Sequence, residues 1–173
     1  AQPKGILSFD FDLSPGDNEL FHLGGVGVGE EVSVEIYGND LEKKINYSVK
    51  VLYDPTQLRY ITFAESTFLR KNGGNAFGLP PLLTDDTVEF GSAILGPSDA
   101  VAVSGSGQLG TLSFTTTEDF VETDLIIIEY SIGTFGEEQE IVESSIFARI
   151  SQEKLFKEPP SADFDGNGIV EFP

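Results

Sequence analysis

The run Asp163-Phe164-Asp165-Gly166-Asn167-Gly168-Ile169-Val170-Glu171 puts oxygen-bearing side chains at alternate positions along a glycine-rich segment. Hard divalent cations such as calcium take several oxygen ligands at short range, and a loop of this spacing supplies them from one turn of chain. In such a loop Asp163, Asp165 and Asn167 occupy the first, third and fifth positions, and Gly168 permits the sharp bend at the sixth. The Ile169 carbonyl and the Glu171 side chain fall at the seventh and ninth, with the apolar Val170 between them. Pro173 is the eleventh position, one short of the carboxylate that normally closes the coordination sphere. The expectation is calcium, weakly held by this fragment. The competing reading is an acidic, glycine-rich tail with no ligand.

A second group of acids, Asp10, Asp12, Asp17 and Glu19 with Asn18, brackets an early turn. Asp10 and Asp12 share one strand face and can line a cation site with the turn residues. The plainer reading makes them alternating solvent-facing acids on an edge strand. Catalytic constellations are thin. His22 is the only histidine, there is no Cys, and no Ser sits in a G-x-S-x-G elbow. Ser104-Gly105-Ser106-Gly107 reads as a tight turn between strands. A glycosidase-like carboxylate pair cannot be picked from 29 acids, so no catalytic residue is assigned and the expectation is a protein that is not an enzyme.

Ten basic against 29 acidic residues give a formal charge of −19. Such a surface repels phosphate backbones and anionic lipid, which argues against nucleic acid and membranes as partners. It favours divalent cations, basic partner patches or a salty medium in which like charge is screened. Hydrophobic residues at 39% mark a folding sequence, and no apolar run is long enough to span a bilayer. The lack of Met, even at position 1, fits a processed or excised fragment.

Alternation with a period of two dominates the chain. Strands are expected at Ile6–Leu13, Val32–Tyr37, Tyr47–Tyr53, Leu58–Phe63, Val88–Leu95, Gly107–Thr116, Asp124–Ile132 and Ser145–Ile150. Gly38-Asn39-Asp40 is expected to turn the chain, Gly24–Gly29 to be flexible or bulged, and Asp54-Pro55 to end a strand. Lys71–Thr84, rich in Gly, Asn and Pro, reads as a long surface loop. Many short strands between Gly/Pro turns predict an all-β jelly-roll sandwich of about nine strands. Pro159-Pro160 marks a stiff linker, which divides the chain into a sandwich over 1–156, a linker over 157–162 and the start of the calcium loop over 163–173.

Three stretches resemble the cohesins, the sandwich modules that capture dockerins in cellulose-degrading assemblies. Gly29-Glu30-Glu31-Val32-Ser33-Val34-Glu35-Ile36 is similar to the family's glycine-led second strand. Tyr47-Ser48-Val49-Lys50-Val51-Leu52-Tyr53-Asp54-Pro55-Thr56-Gln57-Leu58 is similar to its aromatic-Asp-Pro-x-x-Leu strand end. Gly105-Ser106-Gly107-Gln108-Leu109-Gly110-Thr111-Leu112-Ser113-Phe114 is similar to a late glycine-then-apolar strand. The tail resembles the first half of a dockerin repeat, whose calcium loops are EF-hand-like.

The resemblance implies a secreted or cell-surface, non-catalytic recognition module that binds a dockerin-like partner, including one carried by another copy of the same protein. It implies a binding face built from Tyr47–Tyr53, Leu58–Phe63 and Val88–Leu95, with Ser48, Lys50 and Glu89 as candidate contacts. A carbohydrate-binding module on the same fold and a structural spacer of a large surface protein are the alternatives. Cellulose binders present a planar row of Trp or Tyr, whereas this chain has no Trp and only Tyr37, Tyr47, Tyr53, Tyr60 and Tyr130. Most of these tyrosines read as core or half-buried, so a polysaccharide ligand is the weaker expectation.

Overall fold

The computed structural model describes residues 6–154. The expected linker at 157–162 and the calcium-loop residues Asp163, Asp165, Asn167, Ile169 and Glu171 lie outside the described residues. Nine strands follow in chain order: β1 (Leu7–Asp10), β2 (His22–Leu23), β3 (Glu31–Leu52), β4 (Leu58–Glu65), β5 (Asn75–Leu83), β6 (Thr87–Leu95), β7 (Val103–Thr116), β8 (Glu122–Thr134) and β9 (Val142–Ser151). A single 3-10 turn, Phe68–Arg70, interrupts them. No helix among the described residues is long and apolar enough to cross a membrane.

All nine strands are linked by hydrogen bonds because β3 belongs to both layers of a jelly-roll sandwich. Its first half pairs with β1 and β7, and β7 in turn pairs with β4. Its second half is central to the other layer, whose order is β2-β9-β8-β3-β6-β5. β2 runs parallel to β9, and the other pairings are antiparallel.

The layers close on a core in which Val34, Ile36, Val49, Val51, Val88, Leu112, Phe114, Leu125, Ile127 and Ile150 have no exposed surface. These residues sit at alternate strand positions, as the period-two pattern requires. Contacts between the layers are specific. The Phe63 and Phe90 rings stack with centroids 3.9 Å apart, and the buried Tyr47 hydroxyl donates to the Leu109 carbonyl at 3.1 Å.

Four local expectations are corrected. Gly38-Asn39-Asp40 does not turn the chain: β3 continues through it, with register shifts against β7 and left-handed backbone at Asp40 (φ 49°) and Lys43 (φ 47°). Bulges of this kind sharpen the bend of a strand, and here they carry β3 from one layer to the other. Ser104–Gly107 is not a turn either but the part of β7 facing those bulges, where the Ser104 and Ser106 hydroxyls accept hydrogen bonds from the Lys43 and Asp40 N–H groups. The supposed loop Lys71–Thr84 contains strand β5, paired with β6. Pro80 and Pro81 fit because they fall in a register shift on an edge strand, where a missing donor costs no ladder bond.

The fourth correction concerns the acidic group around Asp10 and Asp12. Asp10 is fully buried, not solvent-facing. Its Oδ1 accepts from the Asp12 and Leu20 N–H groups (2.9 and 3.4 Å), and its Oδ2 accepts from the Asn18 N–H (2.6 Å). The carboxylate organises the loop that follows β1. Among the described residues no group of His, Cys, Asp or Glu side chains is arranged to hold a metal ion.

Candidate functional site

The outer face of β5-β6-β3-β8 is built around the second half of β3. Val49 and Val51 face the core, so Ser48 and Lys50 must face outward. Cross-strand register places Gly91 and Ser131 on either side of Ser48, and Glu89 and Glu129 on either side of Lys50. The sequence candidates Ser48, Lys50 and Glu89 are therefore neighbours.

Ser48 Oγ donates to Glu89 Oε1 at 3.2 Å. Lys50 Nζ lies 3.5 Å from Glu129 Oε2 and 3.9 Å from Glu89 Oε2, so one cation stands between two carboxylates. Around this centre is a depression of about 390 Å³, lined also by Tyr130, Ser131, Gln139 and Ile141. Gln139 Nε2 donates to Ser131 Oγ at 2.7 Å and so ties the loop before β9 to its floor.

The rows continue outward to β5. Ala93 faces Phe77, Gly91 faces Leu79 and Glu89 faces Leu82. Phe77, Leu79 and Leu82 are 54%, 54% and 67% exposed, and Ile141 on the opposite side is 70% exposed. The face is thus a polar, net-negative centre with an apolar border. Gly91 keeps its middle flat: a Cβ there would lie 2.5 Å from the Tyr47 carbonyl oxygen.

One expected member is elsewhere. Leu58–Phe63 belongs to β4, which pairs with β7 in the other layer and does not contribute to this face. In its place stand β5 and β8, with Phe77, Leu79, Leu82 and Glu129, none of which the sequence reading selected. The alternation of Phe77 and Leu79 was the available signal, obscured by the glycines before it and the prolines after it.

His22 packs near β9, its Nε2 3.3 Å from Ser151 Oγ. That serine also approaches the Glu153 carbonyl at 3.3 Å. The tyrosines form no planar row: Tyr47 and Tyr53 are buried, and Tyr37, Tyr60 and Tyr130 are half-buried.

No protein-family model matches the chain, and no curated protein matches it. Solved structures do. A chain of a type I cohesin–dockerin complex from Clostridium thermocellum aligns with a TM-score of 0.62 at 6% identity, over 85% of this chain and 99% of that one. The sixth cohesin from scaffoldin B of Acetivibrio cellulolyticus, solved in complex with a Cel5 dockerin, gives 0.61 at 16% identity, over 84% and 96%. A non-cellulosomal cohesin from the archaeon Archaeoglobus fulgidus gives 0.59 at 12% identity, over 85% and 91%. The fold is cohesin-like. At 6–16% identity the likeness covers the backbone fold alone.

Proposed function

We propose that the chain is a non-catalytic protein–protein recognition module whose β5-β6-β3-β8 face receives a dockerin-like module in a secreted or cell-surface assembly. The observation that carries this reading is the exposed row Phe77, Leu79 and Leu82 beside the polar centre at Lys50. Clustered exposed apolar side chains rimmed by polar groups mark interaction sites. An apolar border around a hydrogen-bonded centre supplies area for burial together with fixed polar anchors. Two of the solved structures of similar fold come from complexes with dockerins, which supports a partner of that kind.

The chemistry of the face specifies its partner further. Glu89 and Glu129 outnumber Lys50, so a basic or donor side chain fits the centre and aliphatic side chains fit the border at β5. The donor set Asp163, Asp165, Asn167, the Ile169 carbonyl and Glu171 suits calcium, which would make the tail the start of a dockerin-like element. Another copy of the protein that carries the whole element is then a candidate partner.

The test is calorimetric titration with calcium-loaded dockerins from the Clostridium thermocellum and Acetivibrio cellulolyticus complexes, and with this chain extended through the second half of its calcium loop. Binding by at least one of these, abolished by a chelator and by Leu79→Asp, is the expected result. Absence of binding by every dockerin, together with no self-association of the extended chain in calcium, would overturn the reading.

A further inference from the structure

A second concave site lies away from the docking face, where the ends of the two layers part. It is an open cleft of about 860 Å³ formed where β3 ends, β4 begins, and β5 and β7 end. Tyr53, Arg59, Tyr60, Leu83, Glu118 and Asp119 are among its lining residues.

Its charged groups are uncommitted. No ion pair among the described residues involves Arg59, Glu118 or Asp119, although all three line the same cleft. Of the three arginines, Arg59 is the one without an ion pair among the described residues. Lys43, Lys50, Arg70 and Arg149 are each paired with a carboxylate.

Tyr53 is equally distinctive. It is only 8% exposed and its ring packs on Phe114 at 5.1 Å, yet its hydroxyl has no hydrogen-bond partner among the described residues. The other buried tyrosine, Tyr47, does have one, the Leu109 carbonyl. The hydroxyl is not sealed in the core: it opens on the cleft, where a ligand oxygen can meet it. A tyrosine hydroxyl is protonated at neutral pH and can donate, and burial, then Asp86 and Asp85, raise its pKa further.

Beside these polar groups lies apolar surface. Leu83 is 55% and Val28 52% exposed, and Tyr60, half-buried, packs edge-on against Phe114.

We propose that this cleft binds a neutral carbohydrate chain. A phosphate or a uronate would meet Glu118 and Asp119, and a cation would meet Arg59. A sugar carries no charge and offers hydroxyls that both donate and accept. Arg59 can donate to its oxygens, the two carboxylates can accept from neighbouring hydroxyls, and Tyr53 can do either. The apolar C–H face of the ring then rests on Leu83, Val28 and Tyr60. The lining sets placed polar groups beside apolar surface, the two kinds of contact that small-ligand sites combine. The cleft is open, which suits one stretch of a chain passing through it. The inference does not depend on the docking face.

The test is an amide-shift NMR titration of the 173-residue chain with cellohexaose, xylohexaose and mannohexaose, with oligogalacturonate and an unstructured peptide as contrasting probes. At least one neutral oligosaccharide is expected to move amides at Gly29, Tyr53, Arg59 and Thr117 saturably. Arg59→Ala should weaken it about tenfold or more, and Tyr53→Phe about three- to tenfold. Both variants spare the core, since Arg59 is exposed and Phe keeps the ring on Phe114. Lys50→Ala on the docking face should leave sugar binding unchanged. The proposal is overturned if no neutral oligosaccharide moves these amides at millimolar concentration, if only the uronate or the peptide does, or if binding survives the Arg59→Ala/Tyr53→Phe double variant.

Discussion

Asp10 of β1 and Glu35 of β3 stand directly opposite each other in an antiparallel pair, and both are buried. Desolvation raises the Glu35 pKa above the ordinary glutamate value, and Asp10, Asp12 and Asp17 raise it further. An acid whose pKa is raised by folding binds its proton more tightly in the native state. It therefore contributes stability that is fully present below the unfolded value and lost as pH rises through the raised folded value. Glu35→Gln should remove this loss. The variant is expected to be more stable than the parent at neutral pH and nearly equal to it in acid. Each tenfold rise in native proton affinity corresponds to about 1.4 kcal/mol. Urea midpoints measured across the acidic range read this directly, and a variant less stable than the parent at neutral pH would contradict it.

Three backbone N–H groups converge on the carboxylate of Asp10. Asp10→Ala leaves those donors without an acceptor beside the buried end of β1. The expected cost is about 3 kcal/mol or more. Amide exchange should also quicken at Asp12, Asn18 and Leu20. Unchanged exchange there would show that the loop after β1 is held by something else.

The layer architecture was legible in the sequence because strands buried on one side alternate cleanly. Val49, Val51 and Tyr53 fall at alternate positions of the expected strand Tyr47–Tyr53, and all three are buried. Two features resisted the same reasoning. Gly38-Asn39-Asp40 carries turn chemistry, but pairing with β7 on one side and β1 on the other keeps the strand going, and the left-handed residues become bulges. Asn75–Leu83 carries strand breakers, but its prolines fall where an edge strand tolerates them.

The candidate site was legible only in its centre. Ser48 and Lys50 follow from alternation in Tyr47–Tyr53, and Glu89 from the same pattern in Val88–Leu95. Which strands neighbour them is long-range information, and period-two patterning does not contain it. Hence β4 was placed on the face in error, while β5 and β8 were left off it.

Gly91 joins fold and site. A Cβ at this position would lie 2.5 Å from the Tyr47 carbonyl oxygen and 3.3 Å from the Ser48 Cα. Both contacts are backbone, so relief requires β6 to move away from β3 beneath the outer face of β5-β6-β3-β8. Gly91→Ala is expected to destabilise the fold by about 2 kcal/mol or more. It should also weaken any partner that spans β5 and β3. A thermal midpoint equal to that of the parent would show that the two strands are not held at this separation.

Polar centre and apolar border make separable contributions. Lys50 is about one-third exposed, and its two carboxylates are similarly accessible, so solvent screens the group. Lys50→Met should change folding stability by no more than about 1 kcal/mol. It leaves Glu89 and Glu129 without their shared cation, which makes the centre more negative. A dockerin-like partner with basic contacts should then associate faster at low salt, with a steeper salt dependence. Phe77→Ser and Leu79→Ser change side chains that are each 54% exposed on an edge strand, so each should lower stability by no more than about 1 kcal/mol. Their effect belongs to dissociation, because lost burial shortens the life of a complex more than it alters encounter. Together the two serines are expected to raise the dissociation rate about a hundredfold or more. Surface plasmon resonance at two salt concentrations separates the two effects. If the serine pair slowed association and left dissociation unchanged, the apolar row would not be buried in the complex.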